Sequence, residues 1–325
     1  MKKRFTLWLL ATLFLANVSL ADAQQPGKIF RIGFLDNSTA SGSAGLLEVF
    51  RQEMSKLGWV EGKNLTIEYR FGEGKRDNLP ELAADLVRLK VNLIVTAGDP
   101  AASAAKKATT STPIVMASAS DPIGFGLVAS LARPGENVTG LSGLGTELNS
   151  KRLELLKDAM PKLARVGLLR GLSTSPVLKE IRPAAVALRL KLEEIEVQGG
   201  PTGLEDAFLI AKQKRVDAIM PATGTRFFAE RKRIVELATK HRLPAIYFQR
   251  EFVEDGGLMS YGADYEDLFR KAAHYVDKIL KGAKPADLPV QQATKFEFVI
   301  NLKAAKQIGL TIPPDVLARA NQVVK

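Results

Sequence analysis

The chain has 325 residues, 46% hydrophobic and 25% charged, with 46 Lys and Arg against 35 Asp and Glu for a formal charge of +11. These are the proportions of a globular protein, and with no cysteine and two histidines they exclude disulfides, thiolate metal centres and a catalytic thiol. The basic residues are scattered over many segments and not gathered in one stripe, which argues against nucleic acid as a partner.

Lys2, Lys3 and Arg4 precede an apolar run from Phe5 to Leu20, and Ala21-Asp22-Ala23 offers small residues at the two positions a signal peptidase reads. The run is shorter than the ~20 residues of a spanning helix, so residues 1–23 read as a signal peptide cleaved after Ala23. The expected product is exported to a periplasm and, lacking cysteine, is not lipid-anchored. A mature chain of about 300 residues exceeds one typical core and implies two lobes.

Ile29 to Leu35 reads as a strand, and Leu46, Phe50, Met54 and Leu57 recur at helical spacing before Gly58. Asn64 to Arg70 alternates as a second strand, Leu82, Leu86 and Leu89 mark a helix, and Val91 to Thr96 is a third strand. Gly98-Asp99-Pro100 opens an alanine-rich helix with an acidic cap before proline. Pro113 starts a fourth strand, and Asp121-Pro122 reads as the start of a short apolar helix to Leu131, stopped by Arg133-Pro134-Gly135. Asn137 to Ser142 is a fifth strand. Strands alternating with helices imply a parallel sheet wound right-handedly.

The pattern then restarts. Arg31-Ile32-Gly33-Phe34-Leu35 matches Arg165-Val166-Gly167-Leu168-Leu169, and Val91-Asn92-Leu93-Ile94-Val95 matches Val216-Asp217-Ala218-Ile219-Met220. Pro113-Ile114-Val115-Met116 is echoed by Pro244-Ala245-Ile246-Tyr247. Three matches in the same order, about 130 residues apart, indicate one α/β unit repeated. Past the second set, Gly256 to Gly262 is a short strand flanked by glycines, and an amphipathic helix carries Leu268, Ala272, Tyr275, Val276 and Ile279. The helix lacks a counterpart before Ser142 and can return to the first lobe. The expected division is 27–141 plus 262–284 for the N-terminal lobe and 142–261 plus 285–325 for the C-terminal lobe, two Rossmann-like lobes joined by a multi-strand hinge.

The runs Ser120-Asp121-Pro122-Ile123-Gly124, Leu131-Ala132-Arg133-Pro134-Gly135, Asn137-Val138-Thr139-Gly140-Leu141-Ser142 and Gly256-Gly257-Leu258-Met259-Ser260-Tyr261-Gly262 carry a family resemblance. So do Asp277-Lys278-Ile279-Leu280-Lys281-Gly282-Ala283 and Lys295-Phe296-Glu297-Phe298-Val299-Ile300-Asn301-Leu302. Over nearly the whole mature chain the sequence resembles the ABC-transporter substrate-binding proteins of the tryptophan/tyrosine type. The resemblance implies a type I periplasmic binding fold, a cleft between two lobes, and delivery of a small-molecule solute to an ABC permease and its ATPase subunit, with no cofactor. The chain departs from the family pattern where strands meet the cleft: Asp99 stands where threonine is common, Arg170 to Thr174 replaces a Trp-Asn-Pro-like turn, and Pro221 to Thr225 replaces a loop that often carries aspartate. The ligand class is therefore a polar or aromatic solute, an amino acid or related compound.

Candidate site residues follow from strand ends. Asn37 and Ser38 end the first strand and suit either a polar ligand or turn chemistry. Gly98 and Asp99, and Ser118, Ser120 and Asp121, end the third and fourth strands, where both aspartates compete between capping a helix and meeting a ligand. If they cap, the nearby N–H groups and the serines are left for a ligand carboxylate. Ser142 sits at the first expected crossing, and Ser173 and Thr223 lie in the second-lobe loops. Tyr247 and Tyr261 end strands where a ring can stack on a ligand or pack in a core, Asp264 can cap the following helix or hold an ammonium, and Arg170 can fork onto a carboxylate. No metal site is expected.

A periplasmic ligand sensor for a signalling partner uses the same fold. An α/β enzyme is the remaining alternative, but His241 and His274 lack a Ser/Asp constellation, and Gly140, Gly143 and Gly145 do not make a nucleotide-binding spacing. The expected protein is not an enzyme, and it is a monomer because one chain carries both lobes.

Overall fold

Buried apolar runs in the first half alternate with helices in a computed structural model that describes residues 29–171, 177–200 and 202–325. The signal-peptide reading and Ser173 lie outside these residues. In chain order the first half comprises β1 (Phe30–Asp36), α1 (Ala40–Lys56), β2 (Leu65–Phe71), α2 (Leu79–Arg88), β3 (Leu93–Ala97), α3 (Asp99–Ala108), β4 (Ile114–Ala119) and β5 (Val138–Ser142). The second half follows with α4 (Leu148–Ala159), β6 (Arg165–Arg170), α5 (Val177–Ala187), β7 (Lys191–Glu196), α6 (Gly203–Gln213) and β8 (Ala218–Pro221). It continues through α7 (Thr225–Ala229), α8 (Arg231–Lys240), β9 (Ile246–Tyr247), α9 (Glu251–Glu254) and β10 (Met259–Ala263). The chain ends with α10 (Tyr265–Leu280), β11 (Gln291–Gln292), β12 (Phe296–Asn301), α11 (Leu302–Ile308), α12 (Pro314–Ala318) and β13 (Gln322–Val324).

The first sheet runs β11-β5-β4-β3-β1-β2 with every pair parallel. The second half forms β7-β6-β8, which a parallel bridge between Ile219 and Ala245 joins to β9-β10-β12-β13. Each half therefore places its strands in the same order: second, first, third, fourth, fifth. The repeat extends to register. Ile32 lies opposite Leu93, and their sequence counterparts Val166 and Ala218 lie opposite each other. At the strand bottoms Asn92 Oδ1 accepts from Arg31 N–H at 2.8 Å and Asp217 Oδ2 accepts from Arg165 N–H at 2.8 Å. A side-chain acceptor at that position closes the sheet end in both halves.

Helix placement breaks the repeat. The helix after β5 leaves its own sheet: Leu153, Leu155, Leu156 and Ala159 of α4 are buried in the core of the second half. The helix after β10 makes the opposite move, and Leu268, Phe269, Ala272, Val276 and Ile279 of α10 pack with Phe34, Phe50 and Met54 of the first. Trp59 Nε1 fastens α10 there by donating to Asp277 at 2.8 Å. The chain then passes back after β11, whose Gln291 and Gln292 pair with Leu141 and Ser142. Val290 and Ala293 pack on the first sheet as well, so the return lies beyond the expected boundary at 284, because β11 extends the exposed edge of β5.

The segment after β4 does not form the helix expected from Asp121-Pro122. Residues 122–126 make a turn in which Asp121 Oδ1 accepts from Gly124 N–H at 2.8 Å, and Gly126 takes a left-handed φ of 65° that ends it. Two glycines within three residues remove the side-chain packing that would propagate a helix.

One glycine is dictated by close approach. Gly140 in β5 has φ 130°, and a Cβ there would lie 2.2 Å from the Met116 carbonyl oxygen. Gly140→Ala is expected to destabilise by more than about 2 kcal/mol, whereas Gly45→Ala, on the exposed side of α1 with open space around it, is expected to gain up to about 1 kcal/mol. Urea denaturation of the two variants checks the contrast.

Candidate functional site

Parallel strands deliver their C-terminal ends, and the helix N-termini that follow, to one edge of the sheet. In both halves this edge faces the same cavity, which encloses about 550 Å³, part of it open to solvent. The first wall comes from the ends of β1, β3 and β4: Asp36, Ser38, Ala97, Gly98, Asp99, Ser118 and Ser120, with Ser43 and Leu46 from α1. The second wall comes from the ends of β8 and β9: Thr223, Gly224, Thr225, Phe228, Phe248 and Gln249. Tyr265 and Phe269, on the first two turns of α10, close the side. The walls approach closely at Gly98, whose φ is 79° and where a Cβ would meet Thr225 Cγ2 at 2.7 Å.

Two carboxylates lie in the first wall. Asp36 is 4% exposed and accepts from Ser38 N–H at 2.9 Å, an Asx-type turn, and from the Ser43 hydroxyl at 2.5 Å. Burial dominates these bonds and pushes its pKa up from 3.8 to about 6. Asp99 is 5% exposed, and burial raises its pKa as well. Its carboxylate does not cap its own helix, where Gly98 is the N-cap. It reaches across to the end of β4 and accepts from Ser120 N–H at 2.9 Å, from Asp121 N–H at 3.3 Å and from the Ser120 hydroxyl.

Arg152 stands behind the cavity. It is 1% exposed and donates from Nε to the Tyr261 carbonyl at 2.6 Å, and from Nη1 to Asn149 Oδ1 at 2.8 Å, Thr223 Oγ1 at 3.0 Å and the Gly145 carbonyl at 3.3 Å. Burial lowers its pKa to about 10. The guanidinium thus ties α4, the crossing after β5, the loop after β8 and strand β10 together at the junction of the two halves.

Of the residues expected at the site, Ser38, Gly98, Asp99, Ser118, Ser120 and Thr223 line the cavity. The other described ones sit elsewhere. Asn37 is fully buried beside Gly72. Asp121 spends its carboxylate on its own turn. The Ser142 carbonyl accepts from Ala293 N–H at 2.7 Å in the return crossing. Tyr247 stacks on Phe252 in the core with ring centroids 4.6 Å apart, and Tyr261 stacks on Phe296 at 6.4 Å. Asp264 caps α10 by accepting from Asp267 N–H at 2.9 Å. Arg170 pairs with Glu194 and Glu196 on the neighbouring strand.

Several lining residues were missed, and some had a readable signal. Asp36 follows Ile32 and Phe34 at the period of two, which puts it on the α1 side of β1 with Ser43. Phe248 follows the expected Tyr247 and packs with it on Phe252 while also bordering the cavity. Tyr265 and Phe269 are four apart on one helix face, but their place depends on which sheet α10 covers, and local pattern does not say.

Asp36 has a measurable consequence. The unfolded chain releases this proton near 3.8 and the folded protein near 6, so within that window the folded state holds more protons and stability falls as pH rises through it. Solute-free Asp36→Asn is therefore expected to melt above the unsubstituted protein at about pH 8, with the gap closing below about pH 4. Thermal denaturation across the range checks this, and a gap that does not change with pH contradicts it.

The geometry is matched by known proteins. A family profile described as ABC transporter substrate binding protein matches residues 43–324. The tyrosine-binding protein of Clostridioides difficile strain R20291 is 28% identical over 264 residues, 80% of this chain and 75% of that protein. A conserved domain protein of Vibrio cholerae superposes with a TM-score of 0.85 at 28% identity, covering 91% of this chain and 100% of the other. The ABC domain from Streptococcus pneumonia solved with L-Trp gives a TM-score of 0.82 at 28% identity with the same coverage. The fold is that of the type I periplasmic binding proteins of ABC transporters.

Proposed function

The chain belongs to the ABC transporter substrate-binding protein family, and we propose that it is the extracytoplasmic component of an importer, closing on a small polar or aromatic solute and presenting the closed form to a membrane permease and its ATPase. The family binds and does not catalyse. The named ligands of two relatives, tyrosine and L-Trp, support a solute of amino-acid size with a flat apolar body.

One observation carries this reading. The hydroxyls of Ser38 on the first wall and Thr225 on the second are buried and have no hydrogen-bond partner. A buried hydroxyl left unpaired costs free energy, and two of them on opposite walls of one cavity are satisfied together by a solute lying between. Phe228, Phe248, Tyr265 and Phe269 supply the apolar contacts.

The mechanism is a ligand-driven hinge. The first lobe comprises 29–141 with α10 and β11, the second comprises 143–263 with 294–325, and the three crossings between them bend. A solute that touches both walls binds the closed form better and shifts the equilibrium toward it. One chain supplies both walls, so a monomer suffices, and the N-terminal signal segment directs it to the periplasm.

A thermal-shift screen against amino acids, nucleobases, sugars and aromatic acids tests the reading. The right solute at a hundredfold over its dissociation constant is expected to stabilise by about 2.7 kcal/mol, and no response to any small solute contradicts it. Ser38→Ala is expected to leave the solute-free protein within about 0.5 kcal/mol of its original stability while weakening solute binding by about 2- to 12-fold, the value of one hydrogen bond. Titration calorimetry reads the second effect.

A further inference from the structure

The charge of the cavity is one-sided, and the groups at the end of β4 that suit an anion are already used. Two successive N–H groups and a hydroxyl, those of Ser120 and Asp121, converge on one point, as they would on a ligand carboxylate. That point is occupied by the carboxylate of Asp99. The wall thus presents an acid where it could have presented donors, and Asp36 adds a second acid on the same wall.

No Lys, Arg or His lines the cavity among the described residues, and three of the neighbouring guanidiniums are committed. Arg152 serves the four acceptors at the junction. Arg226 donates to the Val197 and Gln198 carbonyls at 2.8 and 2.6 Å. Arg231 pairs with Asp255 at 2.8 Å and lies over the Phe228 ring. Arg76 feels the field of Asp99 but does not line the space. Burial raises the pKa of both carboxyls against the hydrogen bonds they accept. Beside them the Ser38 hydroxyl, 1% exposed, has no partner, and four aromatic rings face the same space, a setting that favours a cation.

We propose that the cleft recognises an organic ammonium ion on a flat apolar body, and that Asp99, by filling the anion-binding turn after β4, excludes solutes that carry a carboxylate beside the amine. This rests on the solute-binding reading above and narrows it from amino acids and their relatives to amines. The ammonium places a countercharge inside the cavity beside Asp36 and Asp99 and donates to Ser38, while the rings hold the apolar body.

Calorimetric titration of the mature protein with matched probes tests it: tyramine against tyrosine, tryptamine against tryptophan, and phenylethylamine against phenylalanine and phenylacetate. The amines are expected to bind at least tenfold more tightly than the matched amino acids, with no binding of phenylacetate. Asp99→Asn, which keeps the shape and removes the charge, is expected to shrink the preference at least tenfold. Equal or tighter binding of an amino acid by the unsubstituted protein overturns the inference and leaves the solute-binding reading standing. An unchanged preference in a folded Asp99→Asn variant overturns the role of Asp99. No response to any probe overturns the inference, and the reading beneath it also falls if the broader solute screen is silent.

Discussion

A parallel sheet must cover both faces with helices, and in this chain the covering is exchanged. α4 leaves the sheet that β5 completes and packs on the second, while α10 leaves β10 and packs on the first. Neither half can bury its core without a helix that arrives through the junction. The exchange forces the chain across the junction at three places, and that requirement, more than any single contact, sets the two edges facing one another with a cavity between them.

The chemistry of the cavity follows from the same constraint. Strand ends and helix N-termini gather N–H groups and short polar side chains at one edge, an environment that ordinarily favours anions. Asp99 reverses that preference on the first wall by turning the donors of the β4 end inward. The described residues of the second wall answer with rings, two threonines and a glutamine instead of charge. Arg152, buried without a carboxylate, uses two backbone carbonyls and two side-chain oxygens as its partners and so fixes the junction, and no positive charge lines the cavity among the described residues.

The strands of the repeated unit and their parallel pairing were legible because local rules specify them, whereas strand order and register come from the structure. Buried apolar runs, their spacing and the repeated Arg-x-Gly and Asn/Asp positions marked most strands of both sheets, and the serines at strand ends lie on the edge that faces the cavity. The failures lie where tertiary context decides. The turn at residues 122–126 read as a helix because Asp-Pro is a helix start, but Gly124 and Gly126 end it at once. Asp99 read as a cap because capping is local, and its true partners lie 21 and 22 residues away. Tyr247 and Phe248 both pack on Phe252 in the core of the second half, and of the two it is Phe248 that also borders the cavity.

The central claim is that a solute touching both walls draws the two lobes together. The chain has no cysteine, so thiols introduced at Lys75 and Gln198, exposed residues beyond the ends of β2 and β7, give two clean sites for spin labels. Electron–electron double resonance between them measures the width of the cleft mouth. Saturating solute is predicted to move the distance distribution to shorter values and narrow it, and an identical distribution with and without saturating solute would contradict the account.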